Sequence, residues 1–87
     1  MAYTVEIKSS AKREVAALPL PARRRIDTRI LALADNPRAP GCDKMHGSPD
    51  VYRVRVGDFR IVYQIRDAVL IVVVVKVGNR RDVYRRN

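Results

Sequence analysis

From Val51 to Gln64 the chain alternates along two short runs separated by the pair Gly57-Asp58. Alternation with a period of two sends successive side chains to opposite faces of a strand. A two-residue loop with glycine first suits a type II′ hairpin. Loop length and alternation together allow one register, with Val56 opposite Phe59, Arg55 opposite Arg60, Val54 opposite Ile61 and Tyr52 opposite Tyr63. One face of the hairpin is then Tyr52, Val54, Val56, Phe59, Ile61 and Tyr63, which must be buried. The other presents Arg53, Arg55, Arg60, Val62 and Gln64, because a one-residue slip would exchange the two sets.

The opposition of Arg55 and Arg60 is informative. Like charges directly across a strand pair destabilise it, so stability alone does not call for this arrangement. Guanidinium forks match phosphate oxygens two at a time, and a cluster of them on one sheet face is what a phosphate site needs. The plainer alternative is that one arginine turns to solvent or pairs with a distant carboxylate.

The rest of the chain supplies a cover for the apolar face. Residues 3–8 alternate as a strand, with Tyr3, Val5 and Ile7 on one side. Ser9 and Ser10 are placed to cap a helix in which Ala11, Val15 and Leu18 share a face, and Pro19 stops it. A second helix is predicted from Pro21 to about Asn36, burying Ala22, Ile26, Ile30 and Leu33. Arg23, Arg24, Arg25 and Arg29 lie mostly off that stripe, with Asp27 placed to pair with Arg23. They read either as a solvated outer face or as an RNA-binding surface. Residues 37–50 hold three of the five prolines and two of the four glycines and read as a connector. Residues 69–77 are apolar at almost every position, which predicts a central strand covered on both faces. Gly78 and Asn79 then break the strand and bring Arg80, Arg81 and Tyr84 near its end.

The predicted fold class is therefore α+β, a single domain over residues 1–87 in the order β-α-α-β-β-β. Its last three strands form an antiparallel meander, both helices lie on the core face, and the N-terminal strand pairs with the free edge of the last one. The direction of that N-terminal strand is left open.

Charge narrows the partners. Fourteen arginines and four lysines against nine acidic residues leave +9, and residues 51–87 alone carry +6. A phosphate- or carboxylate-rich partner follows. Cys42 is the one cysteine and His46 the one histidine, too few ligands for a zinc site, so no metal and no cofactor are expected. The first ten residues lack the pattern of a secretory signal, and the apolar run at 68–75 is too short to span a membrane. A reducing cytoplasmic setting is expected.

The run YRVRVGDFRIVYQI, followed by VVVVKVGNRRDVYR, resembles the RelE toxins of bacterial toxin–antitoxin modules within the RelE/ParE superfamily. The resemblance covers nearly the whole chain. It implies a RelE-like fold and a ribosome-dependent mRNA endonuclease that cuts the A-site codon without a metal, restrained by a cognate antitoxin. The basic positions of the first hairpin strand match Arg53 and Arg55. The arginine of the second matches Arg60, that after the last-strand glycine matches Arg80, and the terminal tyrosine matches Tyr84. The resemblance thus implies Arg60, Arg80 and Tyr84 as catalytic and Arg53, Arg55 and Arg81 as RNA-phosphate ligands.

The best-known members carry lysines where this chain has Arg53 and Arg55. An arginine effectively never releases its proton in a protein, so these two are assigned to holding phosphate rather than to proton transfer. Tyr84 is open to three roles: stacking on a base, accepting the 2′-hydroxyl proton, or packing the tail on the sheet edge. Two other functions fit the same chain. One is a ParE-like DNA gyrase inhibitor without nuclease chemistry; the other is an RNA-binding domain that does not cleave.

Overall fold

A computed structural model describes residues 3–79. Its elements are β1 (Thr4–Ile7), α1 (Ser9–Ala16), α2 (Leu20–Leu33), β2 (Cys42–Lys44), β3 (Val51–Val56), β4 (Phe59–Arg66), a 3-10 turn (Asp67–Val69) and β5 (Ile71–Asn79). The five strands form one sheet in the order β1-β5-β4-β3-β2. β1 runs parallel to β5, and every other neighbouring pair is antiparallel.

The hairpin register is the one expected, with Arg55 opposite Arg60 and Val56 opposite Phe59. Gly57 has φ +58 while Asp58 stays in the ordinary region, as a type II′ turn requires. Helix packing follows the apolar stripes: Ala11 and Val15 of α1 and Ile26, Ile30 and Leu33 of α2 are buried against Val54, Ile61, Tyr63, Ile65, Val72, Val74 and Val77. Both helices cover this one face. No charged residue is buried among the described residues.

Several expectations need correction. The stretch read as a connector contributes a strand: Cys42–Lys44 pairs with β3 and becomes the outer edge of the sheet. Three residues between turn-forming prolines carry too little alternation to announce themselves. α2 begins at Leu20 and ends at Leu33, short of Asn36, and α1 takes Lys8 as its N-cap with no side-chain cap bond, Ser9 lying already inside the helix. The last strand starts at Ile71, not Val69, because residues 67–69 turn and Leu70 adopts φ +55; it also runs through Gly78 and Asn79, which pair with Arg60 and Phe59 instead of breaking it. It is also covered on one face only: Val72, Val74 and Val77 are buried, whereas Ile71, Val73 and Val75 remain half-exposed.

That spacing, two apart and then three, comes from a bulge. Val62 pairs with Lys76 while Tyr63 pairs with Val74, leaving Val75 as an extra residue. Such an insertion shifts the alternation by one position, so Lys76 and Gly78 fall on the open face beside Val62 and Arg60.

Two polar clusters fasten the ends of β5. Beyond Ile7, β1 no longer borders β5, and α1 takes its place. Glu14 of α1 accepts the Val77 backbone N–H through Oε1 at 2.8 Å and pairs with Lys76 Nζ through Oε2 at 2.9 Å. At the opposite end, Asp67 accepts the Tyr3 hydroxyl at 2.6 Å and both terminal nitrogens of Arg38, at 3.1 and 2.7 Å. Arg38 and, to a lesser degree, Tyr3 hold the Asp67 carboxyl down at about 2. Arg38 also donates to the Tyr52 hydroxyl and lies 5.4 Å over the Tyr52 ring. Tyr52 in turn stacks on Tyr63, whose hydroxyl donates to the Pro37 carbonyl at 2.7 Å.

Candidate nucleic-acid interface

The face of the sheet turned away from the helices is basic at its hairpin end. Arg53 and Arg55 reach it from β3 and Arg60 from β4, because all three occupy the polar phase of the alternation. Arg53 stands opposite Val62, and Arg60 stands between Arg55 on one side and Gly78 on the other. Gly78 offers no side chain there, which leaves Arg60 a bare neighbour on its β5 flank.

The three arginines are held differently. Arg53 and Arg60 are half-buried, and the Nε of each is withdrawn from solvent. Val62 between them is buried although it points to the open face, so neighbouring side chains cover it. Long arginine stems commonly cover apolar surface while the charged head stays outward. Arg55 is exposed and turns its Nε toward the Gly57 carbonyl at 3.4 Å. The open face thus has two guanidiniums with partly buried stems and one exposed at the rim. Restricted donors lose less freedom when they close on an anion.

Two other cations are held in ion pairs. Lys76 is neutralised by Glu14, and Arg38 by Asp67. Asp43 of β2 stands opposite Arg53, a carboxylate that the sequence did not suggest because β2 was not foreseen. Glu14 was likewise missed; on a helix surface it looks like any solvated acid.

Of the six residues singled out from the sequence, the structure therefore brings Arg53, Arg55 and Arg60 onto one face. Arg80, Arg81 and Tyr84 lie outside the described residues. β5 ends at Asn79, immediately before Arg80 in the chain and across from Phe59. Among the described residues no group of His, Cys, Asp and Glu is assembled to hold a metal ion, and no helix is long and apolar enough to cross a membrane.

A mixed sheet with both helices on one face and arginines on the other defines a class, and comparison with known proteins bears on it directly. The family described as ParE toxin of type II toxin–antitoxin systems, parDE, matches residues 5–84. The chain belongs to this RelE/ParE group of toxins, and its relatives place it on the RelE-like side. A protein of Escherichia coli provisionally named a RelE-like toxin is 35% identical, over 97% of this chain and 92% of its own length. The mRNA interferase toxin RelE of Escherichia coli K12 is 29% identical, over 92% of this chain and 85% of its own. The toxin in the intact Escherichia coli RelBE toxin–antitoxin complex superposes with a TM-score of 0.79 at 28% identity, covering 90% of this chain and 96% of that one.

Proposed function

We propose that this toxin is a metal-independent endoribonuclease that cleaves mRNA in the ribosomal A site and is held inactive by a cognate antitoxin. The observation that carries the reading is the gathering of Arg53, Arg55 and Arg60 on the sheet face opposite α1 and α2, which no helix among the described residues covers. In the reaction, the 2′-oxygen attacks the adjacent phosphorus and the bond to the 5′-oxygen breaks. A 2′,3′-cyclic phosphate and a 5′-hydroxyl result, the 2′-hydroxyl proton leaving to an acceptor and the 5′-oxygen taking one up. Negative charge grows on the equatorial oxygens, and donors already aimed there stabilise that state more than the substrate. Arg60 and Arg80 are assigned to this charge, Arg53, Arg55 and Arg81 to the flanking phosphates, and Tyr84 to the base or the 2′-hydroxyl proton. Ribosome and mRNA are thus partners, the work is done in the cytoplasm, and no cofactor takes part. With no free histidine or lysine on the face, rate enhancement rests on positioning and charge.

The test is addition of purified toxin to translating ribosomes followed by mapping of mRNA ends. Cuts within the A-site codon are expected, and Arg60→Ala should slow them by roughly 100- to 1,000-fold, the usual loss for one transition-state donor. Arg80→Ala and Tyr84→Phe should behave similarly. Intact mRNA together with altered DNA supercoiling would instead support the gyrase-inhibitor reading, which the ParE family match keeps in view.

A further inference from the structure

We infer that the cleft between α2 and the tip of the β3–β4 hairpin is a second binding site, one that takes the phosphate backbone of double-helical RNA. The cleft is an open groove of about 510 Å³ that gathers Arg24, Arg25 and Arg29 from α2 with Arg55 and Gly57 from the hairpin. It lies at the hairpin tip on the α2 side; Arg55, whose strand position is on the open face, turns back toward the tip through its contact with the Gly57 carbonyl and so lines the rim shared by the two surfaces.

Three observations support a polyanion. First, the ion pairs among the described residues are Arg38–Asp67 and Lys76–Glu14, so none of these four arginines is neutralised by a carboxylate there. Their contacts are weak ones: Arg29 donates to Cys42 Sγ at 3.5 Å and Arg55 to the Gly57 carbonyl at 3.4 Å. Second, Arg25 and Arg29 are one helical turn apart, where like charges destabilise a helix. Gathering four such cations is unfavourable until an anion arrives. Third, the cleft is shaped around a guanidinium. A Cβ on Gly57 would come within 2.5 Å of an Arg25 terminal nitrogen, so Arg25 is seated against bare hairpin backbone.

The remaining lining decides the class of ligand. Besides the arginines and Gly57 it consists of Thr28, Ala32 and Val56. It has no aromatic ring on which an unpaired base could stack, and although an arginine can pair with a guanine edge, an A-form duplex keeps those edges in a deep, narrow groove that side chains cannot read. What is left is contact with phosphates, which positions a duplex without reading its sequence. A protein partner would want a large apolar anchor in a pocket, and Ala32 and Val56 do not make one. The sequence alone left the α2 arginines between a solvated face and an RNA surface; the convergence with Arg55 separates the two.

The inference rests on the RNA-directed reading above, and gives the toxin two grips. Duplex RNA held in the cleft would orient the hairpin so that its open face meets a single strand.

The test uses the full-length chain and a mixed-sequence RNA duplex of about 16 base pairs, a length that spans two successive minor grooves. Binding is measured across a salt series for wild type, the double variant Arg24→Ala/Arg25→Ala, and the double variant Arg24→Lys/Arg25→Lys. Each lost phosphate contact lowers the slope of log K against log salt by about 0.9, so the alanine variant should lose roughly 2 from the slope and bind at least ~10-fold more weakly. The lysine variant should keep most of the slope. Alanine is the better helix former, so the melting temperature should hold and show that the loss is not unfolding. Unchanged affinity and slope in the alanine variant would overturn the inference. So would unchanged RNA binding with lost binding of an acidic antitoxin peptide, which would assign the cleft to a protein. Because no cleavage is measured, wild-type toxin that binds the duplex but leaves mRNA intact would sink the nuclease reading and spare this one.

Discussion

Glu14 makes two contacts that can be separated by mutation. Its Oε1 accepts the Val77 backbone N–H at 2.8 Å, and its Oε2 pairs with Lys76. Glu14→Ala removes both and strands a partly buried N–H at the edge of β5. A hydrogen bond to a charged group contributes about 1.5–3 kcal/mol. The ion pair adds little, because the Lys76 and Glu14 side chains are 45% and 31% exposed and exposed pairs contribute about 0–1 kcal/mol. A loss of about 2 kcal/mol is expected for Glu14→Ala, which lowers Tm by roughly 8–16 °C in a domain of this size. Glu14→Gln keeps a carbonyl acceptor for Val77 and should lose only about 0.5–1 kcal/mol, and Lys76→Met should lose no more. Thermal unfolding followed by circular dichroism gives the ranking, and amide exchange at Val77 gives the local opening. If the glutamine and alanine variants melt together, or if Val77 exchanges at the same rate in both, the side chain does not act as the acceptor and the reasoning fails.

Three further outcomes can be checked. The Asp67 carboxyl titrates at about 2, below its ordinary 3.8, so its contribution is fully present above about pH 4 and fades as pH falls through about 2; an unfolding series in acid should show wild type and Asp67→Asn converging over that window. Tyr63→Phe leaves the Pro37 carbonyl without its 2.7 Å donor in a buried setting, which should cost about 1–3 kcal/mol in urea unfolding. Leu70 sits at φ +55 and is half-exposed, so Leu70→Gly should relieve a strain of about 1–2 kcal/mol at some entropic cost and raise Tm slightly; a fall in Tm would mean that the leucine side chain matters to the turn.

What could be read from the sequence was whatever had a period and a punctuation mark. The hairpin had both, so its register and the face shared by Arg53, Arg55 and Arg60 could be derived from Gly57-Asp58 and the alternation around it. The helices announced themselves through Ala11, Val15, Ile26, Ile30 and Leu33 in the same way. Runs without a period stayed silent. Four consecutive valines at 72–75 show no alternation to interrupt, so the bulge at Val75 had no signature, and with it went the facing of Lys76 and Gly78. Cys42–Lys44 is too short to carry a pattern, and its pairing depends on where β3 lies. The same limit applies to Glu14 and to the α2 arginines, whose significance comes from what stands across from them.

The parallel pairing of β1 with β5 also bears on how the molecule is made. Thr4 lies beside Ile71 and Ile7 beside Val74, so the first strand synthesised has no partner until almost all the described chain exists. Closing so long a loop is slow and yields nothing until the last strand arrives. On a translating ribosome the nascent toxin is therefore a pair of amphipathic helices and an antiparallel hairpin with one edge vacant. An inhibitor that recognises the unfinished sheet has the whole of that interval in which to meet the hairpin, with Arg53, Arg55 and Arg60 already side by side and β5 not yet in place.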